Sequence, residues 1–153
     1  MNIEQLTSFL AYESSMSSLS DSLVHAYATT DFKVFFEYGD AILNIGEPCS
    51  ALDQQLLAKG AETAVILTAW NPHSKPTAKA ANDSAQKELQ QSLREYFVLP
   101  ALGEEPHGEW PAEESFVIVD ITYEKAVKLA QEYGQNAFVW YVLSSRAKLV
   151  LID

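Results

Sequence analysis

Three short, nearly unbroken apolar runs, at residues 64–70, 115–121 and 137–143, constrain how this chain can fold more than any other feature. Each falls far short of the roughly 20 residues that a membrane-spanning helix needs. Each has the length of a strand, and a strand without apolar/polar alternation is one buried on both faces. Covering layers are therefore needed on two sides, and the intervening sequence supplies helices. From Lys79 to Glu95, the residues Ala81, Ala85, Leu89 and Leu93 recur every fourth position, a narrow stripe whose alanine end allows close approach to a sheet. Thr122 and Gly134 bracket a second helix with the inner face Ala126, Leu129, Ala130 and Tyr133. Residues 96–99 read as a strand, 100–111 as a loop, and 147–152 as a last strand reached through a turn at 144–146.

From residue 64 onward the order is strand, helix, strand, strand, helix, strand. This predicts an α/β domain of the α+β kind, with a ferredoxin-like βαββαβ core in a mixed or antiparallel sheet. In the strand order 4-1-3-2, the end of 64–70 and the starts of 115–121 and 137–143 meet at one edge. Ahead of this core stands a helical and hairpin extension. Ile3, Leu6, Phe9 and Leu10 have helical spacing, residues 14–22 form a serine-rich joint, and Ser18 with Asp21 opens a second helix carrying Leu23, Val24 and Tyr27. His25, beside apolar neighbours there, reads as a core or boundary residue rather than a ligand. Residues 32–38 and 41–45 form a hairpin across Gly39-Asp40, and Leu52, Leu56 and Leu57 mark a short helix closed by Gly60. The division is then an N-terminal extension and joint, 1–19, followed by one domain, 20–153. Helices on one face leave the other apolar face open, so the N-terminal helices are expected to cover it, with a second copy of the chain as the alternative.

Charge narrows the partners. With 21 acidic against 10 scattered basic side chains the formal charge is -11, which opposes binding to nucleic acid and to anionic membranes. The single cysteine, Cys49, excludes an intrachain disulfide and a zinc ribbon, and the first residues carry no basic segment leading into an apolar run, so the expected setting is the cytoplasm. Cys49 just precedes a helix, which can lower a thiol pKa, but a lone cysteine is more often an ordinary small residue. His73 and His107 follow no metal-ligand spacing. No nucleophile elbow, Walker loop or dinucleotide fingerprint is present. No metal or cofactor is therefore expected.

Four segments are distinctive: Thr68-Ala69-Trp70-Asn71-Pro72, Asn82, Gly108-Glu109-Trp110-Pro111 leading into Glu113-Glu114-Ser115, and Gly134-Gln135-Asn136-Ala137. In order and spacing they resemble the bacterial domain-of-unknown-function family 3293, and the resemblance runs from Tyr27 and Thr30 to the C-terminal strand. It implies one fold over most of the chain and carries no activity with it. Topology brings the motifs to one edge, where Thr68, Trp70, Asn71, Asn82, Trp110, Glu113, Glu114, Ser115 and Gln135 make a candidate site for a small polar or flat ligand. Glu113 and Glu114 point to opposite faces of a strand, so only the one sharing a face with Ser115 can enter such a pocket. Asn71, held extended before Pro72, reads as a brace, and Gln135 as the ligand-facing group. In the alternative, these residues only brace the fold of a protein-interaction or regulatory module whose acidic surface meets a basic partner. Whether the chain is an enzyme is left open by its residues.

Overall fold

In the computed structural model the three apolar runs become adjacent strands at the centre of one sheet. The structure describes residues 20–108 and 111–152. The strands are β1 (Asp31–Phe36), β2 (Gly39–Leu43), β3 (Thr63–Leu67), β4 (Phe97–Glu104), β5 (Glu113–Val119), β6 (Ala137–Val142) and β7 (Lys148–Leu151). They stand in the order β2-β1-β4-β5-β3-β6-β7, and every neighbouring pair is antiparallel. Four helices accompany them among the described residues: α1 (Asp21–Ala28), α2 (Ser50–Lys59), α3 (Lys79–Ser92) and α4 (Tyr123–Glu132). The fold is thus α+β with an antiparallel sheet. No helix among the described residues is long and apolar enough to cross a membrane.

Two apolar layers follow from the pleat, in which alternate side chains point to opposite faces. Val65, Leu67, Ile118 and Phe138 face α3 and α4, packing with Leu89, Leu93, Ala126 and Ala130. On the opposite face, Ala64, Ile66, Val117, Val139 and Tyr141 pack beneath α2 and α1. The cover expected from the N-terminal helices is therefore shared. Helix α1 contributes the buried Val24, whereas α2 contributes Leu52 and Leu56, both fully buried. Each such leucine stabilises the fold by roughly 1.5–3 kcal/mol relative to exposure. The apolar segment around Ile3 to Leu10 and the helix-opening Ser18 lie outside the described residues.

Local chemistry sets the element ends. Ser20 caps α1 by accepting the Leu23 amide at 3.3 Å. Gly60 closes α2 with φ 65°. Cys49, the residue before α2, makes no side-chain cap, and its amide is satisfied instead by the Tyr141 hydroxyl at 3.1 Å. That hydroxyl donates to Asp53 at 2.8 Å, and burial, together with the Asp53 carboxylate, pushes its pKa up to about 12 despite a hydrogen bond to the Cys49 backbone that opposes the shift. Cys49 itself is a buried free thiol, as befits a packed small residue.

Several sequence expectations change. The hairpin forms, but Phe36 pairs with Gly39, so the turn is Glu37-Tyr38 and Gly39, at φ 143°, opens β2. Strand β4 runs straight through Pro100 instead of giving way to a loop. Its pairing with β1 stops at Ala101, which leaves Pro100 open on that side, where a missing N–H costs no ladder bond. His25 is exposed rather than in the core. Helix α3 buries Asn82, Gln86 and Leu89, while Ala81 is exposed. The alanine stripe is one position off, because the first half of this helix meets backbone that needs hydrogen bonds rather than apolar side chains.

Candidate functional site

Strand β3 ends at Leu67, and the chain beyond it leaves the sheet with amide groups that need partners. Helix α3 supplies them. Gln86 Oε1 accepts the Ala69 amide and Asn82 Oδ1 accepts the Asn71 amide, each at 2.9 Å. The side chain of Asn71 extends the network: its Oδ1 accepts from Asn82 Nδ2 and from the Thr77 amide, each at 3.0 Å. Its Nδ2 donates to Glu113 Oε1 at 2.7 Å, which joins this loop to β5. Thr68 Oγ1 makes a second junction to β5 by donating to the Glu114 carbonyl at 2.6 Å. Gln135, just past α4, donates from Nε2 to the carbonyls of Trp70 at 2.9 Å and Tyr133 at 3.2 Å. Asn136 Nδ2 donates to Ser74 Oγ at 2.8 Å.

This lacing holds an unusual backbone. Asn71 is not extended but left-handed, with φ 49° and ψ 61°, and His73 and Ser74 also have positive φ, 59° and 58°. The proline that follows disfavours a right-handed helical Asn71, and asparagine tolerates the left-handed region because its short amide bonds locally. Sparsely populated conformations cost of order 1–3 kcal/mol each and persist where surrounding contacts over-determine them. Here the two amides of α3 and the carbonyl of Gly134, which accepts the His73 amide at 2.6 Å, do so.

Beside this loop the sheet and α1 border a half-open cavity of about 100 Å³. Its walls include Leu23 and Tyr27 of α1, Phe32 of β1, and Leu67, Phe138 and Val139 of the central strands. Its polar lining includes Tyr27, Asn71, Ser74, Glu113 and Gln135. Glu113 shares a face with the buried Ser115 and lines the cavity, whereas Glu114 points to solvent. Burial raises the Glu113 pKa above its ordinary value, and the Asn71 hydrogen bond offsets this in part. Tyr27 is likewise raised, first by burial and to a smaller degree by the Glu113 charge, while a hydrogen bond with Ser74 opposes the shift. No Lys, Arg or His is among the described residues that line the cavity.

Of the nine residues singled out from sequence, Thr68, Trp70, Asn71, Glu113, Ser115 and Gln135 line this one cavity. Asn82 stands behind Asn71 as its support, Glu114 contributes only its carbonyl, and Trp110 lies outside the described residues. Gln135 is tied by its amide nitrogen to backbone, so it braces as well as lines. Gln86, Phe32 and Ser74 went unnoticed in the sequence. Gln86 was findable, one helical turn beyond Asn82 on the same face. Trp70 Nε1 and Gln86 Nε2 are buried without partners. Among the described residues no three His, Cys, Asp or Glu side chains are grouped to hold a metal ion.

Residues 67–138, from the end of β3 to the start of β6, match the family model described as a protein of unknown function (DUF3293). No curated protein and no solved structure matches the chain.

Proposed function

We propose, for a chain that belongs to the DUF3293 family, that its function is to bind a small ligand in the cavity between α1 and the central strands. The observation that carries this reading is the Glu113 carboxyl group. It is held in a largely apolar cavity with one oxygen engaged by Asn71 and no cation beside it among the described residues. Removing a carboxylate from water without pairing it is costly, and a protein that only needed to fill this space would do so with an apolar side chain. Perturbed acids in clefts mark sites where a further group is recognised. The left-handed backbone at Asn71, His73 and Ser74 supports the same reading, since such strain concentrates at ligand clamps.

The fold itself we read as a split βαββαβ core, with β6-β3-β5-β4 as its 4-1-3-2 sheet and α3 and α4 on one face, extended by a hairpin at one edge and β7 at the other. The single sheet and its two apolar layers support one domain from residue 20 onward. A reduced, buried thiol and a strongly acidic chain support a cytoplasmic setting.

A thermal-shift screen of a metabolite library on the intact protein tests the function. A ligand at 100 times its Kd raises stability by about 2.7 kcal/mol. Ala26, on α1, lines the cavity, and Ala26→Leu fills it with a side chain that suits a helix. Hits that shift the parent protein but not Ala26→Leu support the cavity. Hits that shift both equally would place binding elsewhere and refute the proposal.

A further inference from the structure

We propose that the ligand is a small organic cation, an ammonium group on a short apolar body, held by the Glu113 carboxylate among aromatic side chains. This rests on reading the cavity as the ligand site. Three observations converge on the sign of the charge. First, the described residues that line the cavity include two carboxylates, Glu105 and Glu113, and no basic side chain. Second, three hydroxyl groups along the wall have already used their protons. Thr30 donates to the Ala26 carbonyl at 2.6 Å, Thr68 to the Glu114 carbonyl at 2.6 Å, and Ser115 to the Glu113 carbonyl at 3.3 Å. What a hydroxyl offers after donating is lone pairs. The amide of Gln135 is in the same state, because Nε2 donates to two carbonyls, which leaves Oε1 as its open group. These groups meet the cavity as acceptors, while the hydroxyls of Tyr27 and Ser74 are hydrogen-bonded to each other. Trp70 Nε1, a buried donor without a partner, is the exception among the groups named here.

Third, Tyr27, Phe32 and Trp70 line the cavity, whereas the Phe138 ring packs with α3 and α4 on the other face. Aromatic rings attract cations through their negative faces and repel anions by the same field. A carboxylate, acceptor groups and rings together suit an ammonium and reject a phosphate or carboxylate. Size limits the ligand further. Taking about 30 Å³ for each water-sized unit, the cavity accommodates roughly three to four heavy atoms, either a whole small amine or the tip of a longer one.

The binding partner used as probe is n-propylammonium, compared with 1-propanol and propionate as neutral and anionic counterparts of the same size. Each is titrated at pH 7 and fixed ionic strength into the parent chain, Glu113→Gln and Ala26→Leu, followed by the tryptophan indole N–H signals in protein NMR. The expected result is saturable shifts with n-propylammonium at least tenfold tighter than with 1-propanol, and none with propionate. Glu113→Gln, which keeps an oxygen for Asn71, should weaken the amine at least tenfold and leave 1-propanol unchanged, and Ala26→Leu should abolish binding. Equal or tighter binding of 1-propanol or propionate, lost in Ala26→Leu, would overturn the cation and keep the cavity as a site. Absence of saturable shifts with all three probes, or shifts that survive in Ala26→Leu, would overturn the cation at this site, and the latter would refute the cavity as well.

Discussion

Replacing Asn71 separates two contributions that its loop combines, hydrogen bonding and backbone conformation. In Asn71→Ala the Thr77 amide loses its acceptor, and Asn82 Nδ2 loses one of two, keeping the Thr77 carbonyl at 3.2 Å. Both groups are at least partly buried, and their loss should cost about 2–3 kcal/mol together. Glu113 Oε1 also loses a donor, but it borders the cavity, where water replaces the amide at little net cost. Alanine at φ 49° adds about 1 kcal/mol over asparagine, because its Cβ meets the carbonyl without the compensating side-chain bond. The expected loss is therefore about 3–4 kcal/mol, a large share of the roughly 5–15 kcal/mol typical of a domain. Asn71→Gly loses the same hydrogen bonds but has no Cβ to strain. After allowing for the extra chain entropy of glycine, it should be more stable than Asn71→Ala by roughly 0.5–1 kcal/mol. Urea unfolding of the three proteins measures this, through shifts in midpoint at constant slope. A loss below about 1 kcal/mol in Asn71→Ala, or a glycine variant less stable than the alanine variant, would refute the argument that this left-handed asparagine is a hydrogen-bonded junction.

Three further outcomes follow from the geometry. The folded-state pKa of Glu113 lies above its unfolded value of 4.5, so between the two values the folded protein binds more protons. The stabilisation from this group is complete below about pH 4.5 and is lost as pH rises through the folded value. Glu113→Gln should therefore gain on the parent protein between pH 4 and pH 7, by about 1.4 kcal/mol for every pH unit separating folded and unfolded values, and urea melts showing a constant or shrinking gap would contradict it. Gly134 has φ 64°, and an added Cβ would stand 3.0 Å from Pro72 Cβ and 3.2 Å from His73 Nε2; Gly134→Ala should lower stability by about 2 kcal/mol or more, measured by the same melts. Leu52→Ala on α2 should cost roughly 2–5 kcal/mol, and a loss under 1 kcal/mol by thermal or urea unfolding would show that α2 is not the main cover of its face.

The central strands and the helix ends were legible because they are set by local rules. Unbroken apolar runs specify strands covered on both sides, and Gly60 and Thr122 end or start helices by their own conformational and capping preferences. The parity of a strand likewise identified Glu113 rather than Glu114 as the inward acid. What the sequence concealed depended on partners distant along the chain. Nothing local to Asn82 and Gln86 shows that a loop ending β3 needs their oxygens, so an apolar stripe pointed to the alanines beside them. Pro100 looked like a strand breaker because the end of the pairing between β1 and β4 is a matter of register, not of local preference. Asn71 looked extended because the bias before proline is local, whereas the network that holds it left-handed comes from α3 and β5. The cavity drew part of its wall from α1 and β1, elements whose proximity to the motif edge follows from the sheet order of β1 beside β4.

The two amides of α3 also tie together repeats that ordinarily run independently. Asn82 and Gln86 are four helical residues apart, about 6 Å along the axis, and their oxygens meet the amides of Asn71 and Ala69, two residues apart on a chain that bends at Trp70. One helical turn thus spans the two amides, and the helix takes the place of a neighbouring strand for them. That match fixes the axial setting of α3 against the loop, since sliding the helix by one residue moves both oxygens by about 1.5 Å, enough to break both bonds. Length changes in this part of the chain are consequently not equivalent. A residue added between Lys75 and Pro76 leaves these two bonds in place, whereas one added between Ala69 and Asn71 or between Asn82 and Gln86 separates the paired groups and releases the loop.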